Sequence, residues 1–409
     1  MLSWIFARRP KPGVVLSVAE PVTAPPVAPG ERAGVPAGVG LPPEEAGERI
    51  FVASQWQLMW WKFRKHRLAV IGGIVVLGLY LVALFAEFIA PYSPETYSAN
   101  YTYLPPTRLH FRDSEGRWHL RPFVYGVKQT VEPVALRRVF TEDRSRMYPL
   151  YFFVRGEPYK LWGIIPWDRH LFGLQTNEHR IFILGADRLG RDVFSRVVYG
   201  TRISMSIGLV GVALSLILGI FFGGISGYYG GTLDNIIQRV IEFLRSIPTI
   251  PLWMALSAAL PPNWSPVKIY FGITIVLSLI GWTGLARVVR GRFLALREED
   301  FVMAARLAGS SEMRIIFRHM VPSFASHIIA SVTLAIPGTI LGETALSFLG
   351  LGLRPPVVSW GVLLQEAQNI RAVAQAPWLL LPGLMVVLAV LAFNFLGDGL
   401  RDAADPYGR

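Results

Sequence analysis

The stretch EEDFVMAARLAGSSEMRIIFRHMVP, residues 298–322, lies between two long apolar runs, and its reading decides how the rest of the chain is understood. It carries charge of both signs, two adjacent alanines, a lone glycine and a terminal proline. Local signals divide it into two short helices. Asp300 is placed to cap FVMAARLA, which stops at Gly309, and Ser310 or Ser311 is placed to cap EMRIIFRH, which ends before Pro322. Ala304 and Ala305 keep one face thin enough for another backbone to approach, and Gly309 permits a left-handed turn that a side chain resists. The expected product is a bent knob shaped for a groove on a partner. An amphipathic linker between two spans accounts equally well for the periodicity alone.

The surroundings of the knob set its context. Hydrophobic residues make up 52% of the chain and the mean hydropathy is +0.41, yet Lys and Arg outnumber Asp and Glu by 40 to 28. That combination reads as a polytopic membrane protein with basic cytoplasmic loops. Nucleic-acid binding, the usual alternative for a basic chain, is disfavoured because the arginines cluster beside apolar runs and form no single stripe. Six apolar spans are expected, at roughly 68–90, 203–226, 236–260, 269–289, 324–348 and 377–397, each about the ~20 residues that cross a bilayer. Lys62, Arg64, Lys65 and Arg67 precede the first span. Arg287, Arg290, Arg292, Arg297, Arg306, Arg314 and Arg318 follow the fourth. Both basic regions are expected to face the cytoplasm, and both termini with them.

Residues 91–202 then fall outside, where long loops cross largely regardless of charge. Within them RLHFRDSEGRWHLRPFVYG alternates on either side of DSEG and predicts a β-hairpin, and MYPLYFFVRGEPYKLWGII predicts strands about a turn at Gly156, Glu157 and Pro158. The first fifty residues are rich in Pro, Ala, Val and Gly and read as a disordered cytoplasmic tail, since MLSWIF is too short for a signal-peptide core. FVASQWQLMWWKFRKHRLAV, with Trp56, Met59, Trp60 and Phe63 at helical spacing, is expected to lie in the membrane interface.

Several chemistries are disfavoured. The chain has no cysteine, so disulfides and thiolate metal sites are excluded, and its seven histidines show no helical zinc spacing. It contains no Gly-Lys dipeptide, and therefore no phosphate-cradling G-x-x-x-x-G-K-[ST] loop, nor a G-x-S-x-G elbow. No catalytic residue, metal site or cofactor is assigned. A membrane subunit without its own ATPase must borrow one, and the knob is where such an engine would grip.

The sequence resembles a family, the permease subunits of binding-protein-dependent ABC transporters. Their cytoplasmic signature runs Glu-Ala-Ala, three residues, Gly, nine residues, Ile, one residue, Leu-Pro. Ala304, Ala305, Gly309 and Pro322 fall at matching positions, whereas Met303 stands where the family often has Glu, His319 where it has Ile and Val321 where it has Leu. LGADRLGRDVFSRVVYGTRISMSIG at 184–208, GYYGGTLDNIIQRVIEFLRSIP and ETALSFLGLGLRPPVVSWGVLL are similar to blocks of the dipeptide and oligopeptide branch, second permease type. The likeness covers about 56–94 and 181–409.

The resemblance implies an all-α polytopic membrane protein with six transmembrane helices of the type I ABC importer permease kind and a small β-rich external insert. Its expected parts are a tail at 1–50, an interfacial helix at 51–67, a first span at 68–90, an insert at 91–180 and a core permease domain at 181–409, with coupling helices at 301–320. The implied partners are a second homologous permease subunit, two ATP-binding subunits, an external solute-binding protein and membrane lipid, with no nucleic acid. The implied location is the bacterial inner membrane. Family substrates include dipeptides, oligopeptides, nickel chelates, glutathione and oligosaccharides. A stand-alone secondary transporter or channel is the competing class, and few intramembrane charges and no inverted repeat speak for it.

ATPase coupling is thereby assigned to Asp300, Ala304, Ala305, Gly309 and Pro322. Glu343, inside the fifth span, reads either as a pathway group or as a buried structural hydrogen-bonding group. The segment GLGLRPPVVSW, ending at Trp360, reads as an ordered external loop, gate or docking ledge. Gly190, Arg191 and Asp192 form a motif at the start of the second span, where Asp192 is expected to favour the helix end. Asp234, Arg239 and Glu242 are expected to make charge pairs along their helix.

Overall fold

Apolar side chains repeated over twenty or more residues have one stable form in a bilayer, a helix whose backbone bonds close within the segment. The computed structural model describes residues 55–133, 138–176 and 178–404; the proline-rich tail at 1–50 lies outside them. Among the described residues five helical stretches are long and apolar enough to cross a membrane. They are α2 (Arg67–Leu84), α3 (Val193–Tyr229), α6 (Pro266–Leu296), α8 (Ala325–Phe348) and a final stretch, Pro377–Ala404, whose regular part is α10 (Leu381–Ala404). Before them comes α1 (Gln55–Lys65), which carries exposed Trp56, Trp60 and Trp61 and ends in Lys62, Arg64 and Lys65.

The third expected span, 236–260, is instead two helices, α4 (Gly231–Ser246) and α5 (Thr249–Ala258), separated at Ile247 and Pro248. Proline has no N–H to continue the ladder and pushes its predecessor into extended geometry, as seen at Ile247 with φ −89° and ψ 131°. α4 is amphipathic, exposing Leu233, Ile236, Val240 and Phe243, and α5 has only 10 residues. The first span also ends earlier than expected, at Leu84, and a short turn of helix, Ala86–Ile89, continues beyond Phe85. Arg202 of α3 covers this end, donating from Nε to the Ala83 carbonyl at 2.8 Å and from Nη1 to Glu87 at 2.5 Å. It thereby satisfies a carbonyl that a helix C-terminus leaves orphaned.

The bundle core gathers Val76 and Leu79 of α2, Met205 and Val212 of α3, Ile336 and Ile340 of α8, and Val386 and Phe393 of α10 around Trp360. Along α3, Gly219, Gly223 and Gly227 recur every fourth residue and face α6. A Cβ on Gly223 would lie 2.5 Å from the Ala286 carbonyl oxygen, and one on Gly227 2.7 Å from that of Arg290. Small residues at this spacing let two helix backbones touch.

The insert holds two antiparallel sheets, β1 (His110–Arg112), β2 (Trp118–Val131) and β3 (Arg138–Pro149) in that order, and the hairpin β4 (Tyr151–Leu161) with β5 (Ile165–Gly173). The expected hairpin about DSEG is β1–β2. The expected turn at Gly156, Glu157 and Pro158 is not a turn. β4 runs through it with a register shift between Arg155 and Tyr159, and the chain reverses at Trp162–Ile164. Gly156 serves close packing there, since a Cβ would meet the His170 ring at 2.6 Å. Val124, Leu150, Phe172, Leu174 and Ile181 form the insert core, and Phe194 on the first turn of α3 packs against it.

Among the described residues the same five-residue turn occurs twice, as Asp113-Ser-Glu-Gly116-Arg117 and as Asp187-Arg-Leu-Gly190-Arg191. In each, the aspartate Oδ1 accepts the N–H groups two and four residues on, at 3.0 and 2.9 Å for Asp113 and at 2.8 and 3.0 Å for Asp187. The arginine Nε returns to Oδ2, at 3.0 Å in the first and 2.6 Å in the second. The glycine has φ of 86° at 116 and 69° at 190. His119, also hydrogen-bonded to Asp113, together with these donors holds the Asp113 carboxyl well below the usual carboxylate range.

The two glycines differ in their surroundings. A Cβ at 190 would overlap the Ser98 carbonyl, whereas one at 116 would meet only the flexible Arg112 side chain at 3.2 Å. Gly116→Ala is expected to destabilise by about 1 kcal/mol through backbone strain. Gly190→Ala adds backbone overlap and is expected to exceed ~2 kcal/mol. Apparent unfolding temperatures of the purified variants test this order; equal losses would remove the Ser98 contact as the cause.

Candidate functional site

The knob is built as a foot and an exposed face. α7 (Asp300–Leu307) is followed by a Schellman turn, with Ser310 N donating to Ala305 O at 3.0 Å and Gly309 N to Arg306 O at 2.9 Å. Gly309 takes φ 74°, the left-handed conformation this turn requires. The N-cap of α7 is Glu299, so Asp300 is the first helical residue and does not cap. Its carboxylate still lies at the positive end of the helix.

The second helix begins after Ser311 as Glu312–Arg314, widens into a π-helical stretch over Ile315–Met320, and continues through Pro322 to Ser323. Pro322 therefore does not end it. The wider turn lets Val321 N bond back to Ile316 O, and proline stands at the start of the next short segment, where no N–H is needed.

Val302, Ile315, Ile316 and Met320 are buried against Val289 and Phe293 of α6 and Phe324, and Arg306 lies over the Tyr228 ring at 5.1 Å. Facing outward are Phe301, Met303, Leu307, Met313 and Phe317, with Ala304 exposed among them and Ala305 half-buried. Leu307 is 88% exposed. Exposed apolar surface of this kind marks contact with either another protein or the membrane.

Behind the knob, α4 is tied to α6 by Asp234, which accepts from Arg290 Nε and Nη2 at 2.6 Å each, and from Ser226 at 2.5 Å. Asp234 thus pairs between helices and not along its own, whereas Arg239 and Glu242 do pair along α4 at 3.0 Å.

At the opposite end of the bundle, Glu343 of α8 is completely buried. Its Oε1 accepts from Ser347 at 2.8 Å and Ser359 at 2.6 Å, and Oε2 accepts from Ser204 of α3 at 3.2 Å. Ser359 also caps α9 (Trp360–Gln365), accepting from Val362 N at 3.2 Å, and Ser204 accepts from Trp360 N at 3.1 Å. The two candidate gate residues, Glu343 and Trp360, are thus brought together through two serines. Trp360 is buried in the bundle core and its Nε1 is without a hydrogen-bond partner among the described residues.

The motif at the start of α3 lies nearby. Asp192 is its N-cap, with Oδ2 accepting from Ser195 N at 2.8 Å and Ser195 Oγ at 2.6 Å. Its Oδ1 is buried and unpartnered among the described residues, and burial pushes the carboxyl up to about 7. Arg191 bridges Asp187 and Glu366, the latter at 3.0 Å, and Arg196 contacts the same two carboxylates. Sequence reasoning missed Asp187, Arg196, Glu366 and the three serines. Ser347 stands four residues after Glu343 and was the available signal.

A profile described as "Binding-protein-dependent transport system inner membrane component" matches residues 216–407, and one described as "N-terminal TM domain of oligopeptide transport permease C" matches 54–106. The dipeptide transport system permease protein DppC of Bacillus subtilis (strain 168) is 38% identical over 224 residues, 54% of this chain and 68% of its own. The glutathione transport system permease protein GsiD of Pectobacterium atrosepticum is 30% identical over 355 residues, 87% of this chain and 92% of its own. The chain belongs to the binding-protein-dependent transport permeases. A solved structure of the MetNI methionine ABC transporter in an inward-facing conformation aligns with 51% of this permease and 96% of its own chain, at 18% identity and a TM-score of 0.40. The two profile matches flank residues 107–215 of the permease, which contain the β-sheets and the turn at Asp187.

In this permease Glu343 is expected to act as a structural node. Glu343→Ala removes the acceptor of three buried hydroxyls and is expected to destabilise by about 3 kcal/mol, whereas Glu343→Gln keeps one acceptor oxygen and is expected to lose about 1 kcal/mol. Thermal unfolding in detergent reads the difference; an alanine variant as stable as wild type would show that the serines find other partners.

Proposed function

We propose that this permease forms one half of the translocation pathway of an ATP-driven importer of peptides, working with a second homologous permease, two separate ATP-binding subunits and an external solute-binding protein. The relatives carry dipeptide, oligopeptide and glutathione names, which share peptide bonds as a substrate class. The observation that carries the reading is the knob, with its apolar exposed face on a buried foot packed against α6. A linker between two spans needs no such exposed apolar face.

The knob lies in the cytoplasm, as do both termini, and the insert lies outside; the basic residues at 62–67 and 287–318 support this orientation. Nucleotide closes the ATPase pair, the displaced knob moves α6 through Val302, Ile315 and Phe293, and the pathway between the two permeases opens outward to accept solute. A partner that binds one arrangement of the knob better than another shifts the membrane helices toward it. Ala304, Ala305 and Gly309 shape the contact; Asp300 supplies negative charge at its base, and Pro322 lies in the segment that returns the chain to α8.

A Cβ at Gly309 meets nothing within 4 Å, so a substitution there acts through φ alone. Gly309→Val should insert at normal abundance yet lose ATPase capture or coupled transport, and Ala304→Phe, at an exposed position, should do the same without touching the turn. Wild-type transport by both variants at equal abundance would reduce the knob to a linker. Orientation is tested separately. Cysteines introduced at Ser114 and Ser310 of this cysteine-free chain are expected to react with an impermeant reagent in intact cells at position 114 only; reaction at both, or at 310 alone, would overturn the assignment.

A further inference from the structure

The β4–β5 hairpin is in name part of an insert outside the membrane, yet its tip is among the most apolar exposed surfaces of the chain. Ile164 is 78% exposed, and Trp162, Ile165 and Trp167 are each exposed beside it. In water such a tip is a liability. Its position gives the reason. Trp162 Nε1 donates to the Leu84 carbonyl at 2.8 Å, in the last turn of α2, and the Trp162 ring lies 6.2 Å from that of Phe85.

α2 has 18 residues, a length of about 27 Å at 1.5 Å per residue, close to the ~30 Å of a hydrocarbon core. The tip is therefore held level with the boundary between acyl chains and headgroups. The exposed stripe of α2, Ile71, Ile74, Leu77, Leu81 and Leu84, runs without interruption into the hairpin.

Between the two lies a cleft of about 490 Å3, apolar throughout, lined by Leu81, Phe85 and Phe88 on the helix side and by Leu161, Trp167 and Leu171 on the strand side. Higher on the hairpin the surface changes character, with exposed Asp168, Arg169 and Arg155. An apolar tip, tryptophans bearing N–H groups and then a cationic band is the order in which a membrane interface presents acyl chains, carbonyls and phosphates.

We infer that the β4–β5 hairpin dips into the adjoining lipid leaflet, and that the cleft between it and α2 holds a phospholipid acyl chain. The ligand is lipid because the cleft continues the lipid-facing stripe of a spanning helix and presents an apolar wall, the hydroxyl of its Tyr159 being turned to the Arg169 carbonyl at 2.6 Å. The inference rests on α2 crossing the membrane. Only the naming of the leaflet as the outer one rests on the orientation proposed above, and a depth measurement does not depend on that.

The test uses the full transporter in lipid nanodiscs with a nitroxide on a single cysteine, at Ile164→Cys on the tip or Leu161→Cys in the cleft. Ile74→Cys serves as the lipid-facing reference and Ser114→Cys as the water-facing one. Collision with molecular oxygen, which partitions into acyl chains, is compared with collision with a water-soluble nickel chelate. Both hairpin labels are expected to show an oxygen-to-nickel ratio close to that of Ile74→Cys and several-fold above that of Ser114→Cys. A ratio at the Ser114→Cys level for either label would show water at that position and overturn the inference. Shielding of the Ile164→Cys label from both reagents would place a protein partner on the tip and overturn it equally. Failure of the impermeant-label experiment, with these ratios intact, would move the hairpin to the other leaflet and leave its insertion standing.

Discussion

A carboxyl group inside an apolar bundle must be met by donors or the bundle does not close around it, and the hydrogen bonds to Glu343 meet that demand from three directions. Ser347 comes from the same helix, Ser204 from α3 and Ser359 from the segment that turns back toward the bundle. Each serine has a second task. Ser359 caps α9, Ser204 takes the N–H of Trp360, and Ser347 Oγ accepts from Leu353 N at 3.0 Å. The returning loop is thus registered to the spanning helices by one acidic side chain, and Trp360 is seated in the core as a consequence.

A similar economy governs the start of α3. The Asp187 turn fixes its own backbone, then spends its remaining oxygen on Arg191 and Arg196, which in turn reach Glu366 across the fold. The first helical residues, the turn before them and the 3-10 turn Glu366–Gln368 are therefore one electrostatic unit. Asp192, one residue on, caps the helix from a site so dry that its carboxyl is pushed up to about 7. The copy of this turn at Asp113 shows what the motif does alone: it reverses a hairpin in the insert, with His119 in the place that Arg196 occupies at Asp187.

Much of this was legible in the residues, and the reasons are particular. Apolar runs located the five spanning helices because a bilayer leaves few alternatives, and DSEG marked its hairpin because turn chemistry is local. Gly309 was readable for the same reason. The broken third span was not, because hydropathy averages over Ile247–Pro248 and only the amphipathic spacing of α4 betrays the change. The supposed turn at Gly156 failed because glycine there answers to the His170 ring, a partner fourteen residues away. Asp234 found Arg290 instead of a neighbour on its own helix, and the partners of Glu343 were invisible, because pairs between helices leave no mark at helical spacing. The hydrophobic seam of α3 did leave one, in the G-x-x-x-G-x-x-x-G run from Gly219 to Gly227.

That seam has a mechanical meaning. Where backbone lies directly on backbone there is no layer of side chains to repack, so sliding or tilting of α3 against α6 meets hard atoms at once. The two helices behave as a single rod, and any change in shape has to be taken up where the chain is jointed. Ile247–Pro248 is such a joint, since the helical ladder is already interrupted there, and α5 beyond it is packed through Trp253 against Leu277 of α6 and Gly342 of α8.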